Sequence, residues 1–192
     1  MEMFRNLRLS IGRLVLRRKI SHLKRKKFRG NILSARKLGI IWDATNVADF
    51  PVISQFHQKM LERSIDVKVL GYYPEKELPD KLTAVRFLTC LKPEDINLSY
   101  RPVSKDANEF INTSFDILID TNFRNVFQLE YISSLSAAGL KVGIFDNGYE
   151  HSPFDLMIDV KKNSDLNNYL TQAVHYLEMV NNVEIKTRVK TF

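Results

Sequence analysis

A three-layer α/β fold on a mostly parallel sheet is predicted by three observations in this 192-residue sequence. Residues 115–147 read as strand, polar turn, helix, glycine and strand, and residues 38–73 follow the same plan. Two strands joined through a helix run parallel. The strand segments, such as Phe115–Asp120 and Val142–Phe145, are apolar on both faces, which calls for helices on both sides of the sheet. The chain is long enough to bury such a core, and 44% hydrophobic residues is globular composition.

Taken in order, residues 3–27 contain no proline and read as one helix, with a weak point at Gly12. Phe4, Leu7, Ile11, Leu14 and Val15 recur at helical spacing, among Arg5, Arg8, Arg13, Arg17 and Arg18. From Lys19 to Arg29 the sequence is basic on almost every side. Gly30, Asn31 and Ser34 then read as a linker. Leu38–Trp42 is a strand ending in Asp43, and Pro51 opens a helix over 52–63 with Ile53, Phe56, Met60 and Leu61 inward. Asp66–Tyr73 is the next strand. Ala84–Leu88 is read as a strand, Ile96–Tyr100 is ambiguous, and Lys105–Asn112 reads as a short helix.

The second unit is Phe115–Asp120, then a helix over 126–138 entered through Asn122 and Asn125 and stopped by Gly139, then Val142–Phe145. Phe154–Val160 is a last short strand. Asp165–Val180 is a helix with Leu166, Tyr169, Leu170, Ala173, Val174 and Leu177 inward, and the basic tail 186–192 is expected to fray. The expected organisation is a basic extension over 1–36, an α/β domain over 37–183 and a basic tail over 184–192.

The charge is distributed unevenly. Residues 1–37 hold 13 of the 29 Lys/Arg and a single acid, Glu2, so the rest of the chain is net acidic. Such asymmetry speaks to partners. The dense run Lys19–Arg29 repels itself unless a counter-charge is supplied, and a polyanion is the economical source. The candidate contacts are Arg5, Arg8, Arg13, Arg17, Arg18, Lys19, Lys24, Arg25, Lys26, Lys27 and Arg29. RNA, ribosomal RNA included, is the first expectation, because few large apolar residues accompany the densest charge. A membrane surface gripped by Phe4, Leu7, Ile11 and Leu14 is the alternative. Two readings stand beside these: the stripe packs on the domain with a merely solvated basic face, or the segment is an Arg-rich transit peptide.

Three strands end in an acid followed by amides: Asp43-Ala-Thr45-Asn46, Asp120-Thr121-Asn122 and Asp146-Asn147-Gly148. Carboxylates on the rim beyond parallel strands could hold a divalent cation or serve acid–base chemistry, with His151 as a base beside Asp146. The same residues are ordinary turn formers and helix caps. The other histidines, His22, His57 and His175, show no ligand spacing, so no metal site is expected. Neither a Gly-x-Gly-x-x-Gly nor a Gly-Lys-Ser/Thr loop is present, and no cofactor is expected. One cysteine, Cys90, excludes an internal disulfide and reads as a small buried hydrophobe. With no apolar run long enough to span a bilayer and no uninterrupted signal core, a cytoplasmic protein is expected.

The run Phe115-Asp116-Ile117-Leu118-Ile119-Asp120, with Ser133 to Ala138 and Lys141-Val142-Gly143, resembles a segment of the first Rossmann-like domain of heptosyltransferase-type sugar transferases. That resemblance implies a Rossmann-like sheet. Since those enzymes bind the nucleotide-sugar on a second domain, it implies one half without the donor site. Apart from the resemblance, an enzyme acting on a nucleotide or sugar at the rim of Asp43, Asp120 and Asp146 is a further alternative. Through IDTN, SLSAAGLKVGIFD and FDLMIDV the chain also resembles an uncharacterised bacterial family of small α/β proteins, which implies no activity.

Overall fold

The computed structural model describes residues 2–83, 85–145, 152–160, 165–180 and 187–190. Its centre is an all-parallel sheet of β1 (Lys37–Asp43), β2 (Asp66–Tyr72), β3 (Leu88–Leu91), β4 (Ile117–Asp120), β5 (Leu140–Ile144), β6 (Leu156–Asp159) and β7 (Thr187–Lys190). The order across the sheet is β3-β2-β1-β4-β5-β6-β7. The chain winds outward from β1 to β3, then returns to lay β4 on the other side of β1. The direction of winding therefore reverses between β1 and β4, where open parallel sheets form a crevice.

Helices cover both faces. Alternation along β1 sends Ile40 and Trp42 into one core, under α2 (Phe50–Glu62) and α6 (Leu166–Met179), and Ile41 into the other, under α4 (Lys105–Asn112) and α5 (Phe127–Leu135). A one-turn α3 (Asp80–Thr83) lies between β2 and β3. The first helix, α1 (Glu2–Ile20), forms an additional layer outside α5.

Leu16 of α1 is buried against Phe127, Tyr131 and Leu135. A Cβ on Gly12 would stand 2.4 Å from the Ser99 carbonyl oxygen and 2.9 Å from the Phe127 ring. A mid-helix glycine costs about 1 kcal/mol relative to alanine. Here it permits close packing that no other residue allows. Gly12→Val is expected to lift α1 off α5 while leaving the sheet folded. Limited proteolysis within residues 1–29 checks this, and a protease-resistant variant would count against it.

The differences from the sequence reading have physical causes. α1 stops at Ile20 rather than continuing to residue 27, because residues 21–36 are drawn along the N-terminal edge of the sheet. The Phe28 N–H donates to the Gly139 carbonyl (3.1 Å) and the Ile32 N–H to that of Leu177 (3.3 Å). The Asp116 carboxylate accepts the N–H groups of Arg36 (2.7 Å) and Lys37 (3.0 Å). Ile32, inside the expected linker, is fully buried.

Gly139 does not cap α5, which ends at Leu135, and no described glycine has positive φ. A Cβ there would meet the Phe28 nitrogen at 2.7 Å and the Lys26 carbonyl oxygen at 3.0 Å, so its role is close backbone approach. The third strand is 88–91 instead of 84–88, Leu61 is exposed, and residues 187–190 pair with β6 although fraying was expected of the tail. Ile96–Tyr100 belongs to a tight hairpin closed by an antiparallel Ile96–Pro102 bridge.

Candidate functional site

At the crevice, the winding reversal brings Asp43 and Asp120 together on the neighbouring strands β1 and β4. Both are buried and both are occupied. One Asp43 oxygen accepts the Thr45 N–H (3.1 Å) and the Thr45 hydroxyl (2.7 Å), and the other accepts Arg124 Nε (2.6 Å). Asp120 accepts the Asn122 N–H (2.7 Å) and the Ser133 hydroxyl, while Tyr169 donates its phenol to the Asp120 carbonyl (2.8 Å). Asn122 in turn accepts the Val126 N–H (2.8 Å) and donates to its carbonyl (3.0 Å), which shapes the entry to α5. These acids thus act as turn anchors, the alternative their sequence context offered.

Beside Asp120 lies a cavity of about 170 Å³ bounded by Asn122, Phe123, Glu130, Ser133 and Phe154 among others. Burial pushes Asp120 up to about 6 in spite of its hydrogen bonds from Ser133 and Asn122, and burial raises Glu130 as well. Asp146 and His151 lie outside the described residues. Among the described residues no group of three or more His, Cys, Asp or Glu is placed to hold a metal. Cys90 sits within β3 with its thiol pushed up to about 12 by burial, and His57 stacks on Phe87 at 3.8 Å with its basicity lowered by burial.

The raised Asp120 value has a consequence for stability. The folded state holds this proton more tightly than the unfolded chain does, so its contribution to stability falls as pH rises from about 4 to about 6 and is level above that. Asp120→Asn keeps the shape and removes the titration. Across that window the variant is expected to gain about 3 kcal/mol relative to the parent, at 1.36 kcal/mol per pH unit. Urea midpoints at pH 4 and pH 7 check it; an unchanged difference between the two proteins would refute it.

The second concentration of functional residues is the N-terminal segment. α1 runs alongside α5 in the same direction, since Gly12 meets Phe127 at the start of α5 and Lys19 reaches Tyr131 farther on. Its two sides differ sharply. The inner side carries Leu9, Gly12 and Leu16. The outer side leaves Phe4 (68%), Leu7 (59%), Ile11 (46%) and Leu14 (63%) exposed, together with Met3. The sequence stripe therefore faces solvent, and of its members only Val15 is half-buried.

The eleven candidate cations divide in two. Arg8 donates to the Leu98 carbonyl and lies 4.5 Å above the Tyr100 ring, and the Lys19 ammonium lies 5.6 Å from the Tyr131 ring. Arg25 makes a two-pronged pair with Asp155 (2.9 Å each) and donates to the Ala138 carbonyl (3.0 Å). Lys27 joins the same carboxylate, which also accepts the Lys141 N–H (2.9 Å). Part of the expected self-repulsion is thus answered inside the molecule. Burial alone would raise Asp155, but these donors outweigh it and hold it below the usual carboxylate range.

Behind this cluster the Lys141 amine is buried and bonded to the Ser134 carbonyl (2.9 Å). Burial first, then the nearby Arg25 charge, lowers it to about 7. Arg5, Arg13, Arg17, Arg18, Lys24, Lys26 and Arg29 remain exposed. Asp155 was legible in the sequence only as the start of a strand, Ser133 and Lys141 only as parts of the sugar-transferase resemblance with no role of their own, and Arg124 carried no signal.

A model of a family of unknown function, DUF6913, matches residues 9–180, which takes in most of α1 and the sheet through α6. The chain belongs to DUF6913. No curated protein matches it. The span that defines DUF6913 in this chain includes the strap over residues 21–36, so the strap and the α/β sheet are parts of one family pattern.

Proposed function

We propose that this chain is a peripheral protein of an anionic membrane surface, docking through the outer side of α1 with the α/β domain as the body it carries. One observation supports this above all: Met3, Phe4, Leu7, Ile11 and Leu14 stand in solvent on a helix whose opposite side is fixed to α5. A helix with large apolar residues on one face and Arg and Lys around it lies in the plane of a bilayer interface. Exposed Arg17 and Arg18 follow the stripe at the C-terminal end of the helix, and Lys24, Lys26 and Arg29 extend the positive charge past it. Each cation near an anionic leaflet contributes about 1 kcal/mol. No described helix is long and apolar enough to cross a membrane.

RNA is the second reading, favoured by Lys24, Lys26 and Arg29, which stand exposed in a segment without helix or strand. Ribosomal RNA would be held by such phosphate contacts, which weaken steeply with salt. The two readings separate when the full chain is offered phosphatidylcholine vesicles, the same vesicles with 30% phosphatidylglycerol, and a structured RNA. Flotation with the anionic vesicles only, unaffected by RNA, supports the membrane reading. Retention on RNA with no flotation rejects it.

A further inference from the structure

Resting on the docking just proposed, we infer that the hairpin around Leu98 is a second apolar anchor that enters the same anionic bilayer beside α1 and fixes how the domain sits on it. Leu98 is 81% exposed, more than any other large hydrophobic among the described residues, yet it stands on a hydrogen-bonded turn. The Val103 N–H donates to the Asp95 carbonyl (2.9 Å) and the Asn97 N–H to that of Arg101 (3.0 Å). Asn97 Oδ1 closes the tip, accepting the N–H groups of Ser99 (3.0 Å) and Arg101 (3.1 Å). Tyr100 holds the left-handed φ of 59° that such a turn requires. A closed turn that spends its hydrogen bonds on presenting a leucine to water has no use for it in the fold.

The hairpin is fastened to α1 at three points. Arg8 donates to the Leu98 carbonyl, the same guanidinium covers the Tyr100 ring, and the Ser99 carbonyl seats on Gly12. Leu98 and the outer stripe of α1 therefore move as one body. The hairpin seats against the middle of α1, at Arg8 and Gly12, and α1 leads at its C-terminal end into the strap that carries Lys24, Lys26 and Arg29. Contact at the hairpin and along the strap lays the helix along the membrane plane. The occupant is a bilayer and not a second copy of the chain: the stripe ends at the exposed Arg17 and Arg18, and two such faces would set like charges against each other, whereas anionic headgroups neutralise them.

The test is an environment-sensitive nitrobenzoxadiazole label on Leu98→Cys in the full chain. The label is placed in a Cys90→Ala background, because Cys90 is only half-buried. With 30% phosphatidylglycerol vesicles the emission is expected to shift to the blue and rise several-fold, while the same label on Lys59→Cys of α2 stays unchanged. Leu98→Asp is expected to weaken vesicle partition five- to tenfold without lowering the melting temperature. Flotation with no emission change at position 98 overturns the anchor alone. Failure to float overturns the docking reading beneath it. An emission change that depends on protein concentration and needs no vesicles assigns the tip to a contact between copies, and overturns the proposal.

Discussion

Replacing Leu7 and Leu14 together by glutamate is expected to abolish flotation with anionic vesicles and to leave the fold untouched. Both side chains are about 60% exposed, so the folded domain loses almost nothing with them. Full burial of a leucine is worth about 1.5–3 kcal/mol, and the part of each that is still exposed accounts for roughly half of that. Two carboxylates brought against an anionic leaflet reverse an interaction of about 1 kcal/mol per charge. The sum exceeds about 3 kcal/mol, a drop of more than a hundredfold in partition. Leu9→Glu on the inner side is the contrasting variant: it should disturb the α1–α5 packing and show as lost stability. If the outer double variant floated like the parent, the stripe would have no part in docking.

The largest loss of stability is expected from Asp155→Ala. This one carboxylate takes both prongs of Arg25, the Lys27 ammonium and the Lys141 N–H. Removing it leaves a mostly buried guanidinium and a backbone N–H without an acceptor beside the buried Lys141 amine. Breaking a buried pair by deleting one partner costs about 3–5 kcal/mol. The exposed Lys27 adds little to that. The same carboxylate sets an acid limit. Its folded value is depressed, so its stabilisation is complete above the unfolded carboxylate value near ~3.9 and disappears as pH falls through the lower folded value. Urea midpoints of parent and variant at pH 7 and pH 3 measure both effects. Equal midpoints at pH 7 would mean that the strap is held by its backbone contacts alone.

How much of this was legible in the sequence depends on whether local chemistry was enough. The two strand–helix–strand units could be read because their apolar runs, turn residues and intervening helices all agree. α4 and α6 could be read for the same reason, and Ser104 and Asp165 cap them through the N–H groups of Ala107 and Asn168. What failed was whatever depends on a distant partner. Residues 21–27 look helical until Asp155, some 130 positions away, holds Arg25 in non-helical chain. Gly139 looks like a helix stop until Phe28 arrives beside it.

The orientation of α1 is the most instructive case. Its spacing revealed a coherent apolar stripe, and a stripe is normally what a helix buries. The inner contact is instead made by Leu9, Gly12 and Leu16, because Gly12 allows an approach to Ser99 and Phe127 that the larger stripe residues would prevent. At the rim, Asp43 and Asp120 stand at the ends of β1 and β4 as the strand pattern implied, and their occupation by Thr45, Arg124 and Ser133 required the third dimension.

The most direct measurement is the depth of individual positions in the membrane-bound full chain, read from nitroxide labels at positions 7 and 14 of α1 and at positions 59 and 171 of α2 and α6. With vesicles containing 30% phosphatidylglycerol, labels 7 and 14 should become shielded from a water-soluble relaxation agent and accessible to oxygen, while 59 and 171 stay as accessible to water as in free protein. Shielding at 59 and 171, or full water accessibility at 7 and 14 in protein that is bound to vesicles, would contradict docking through α1.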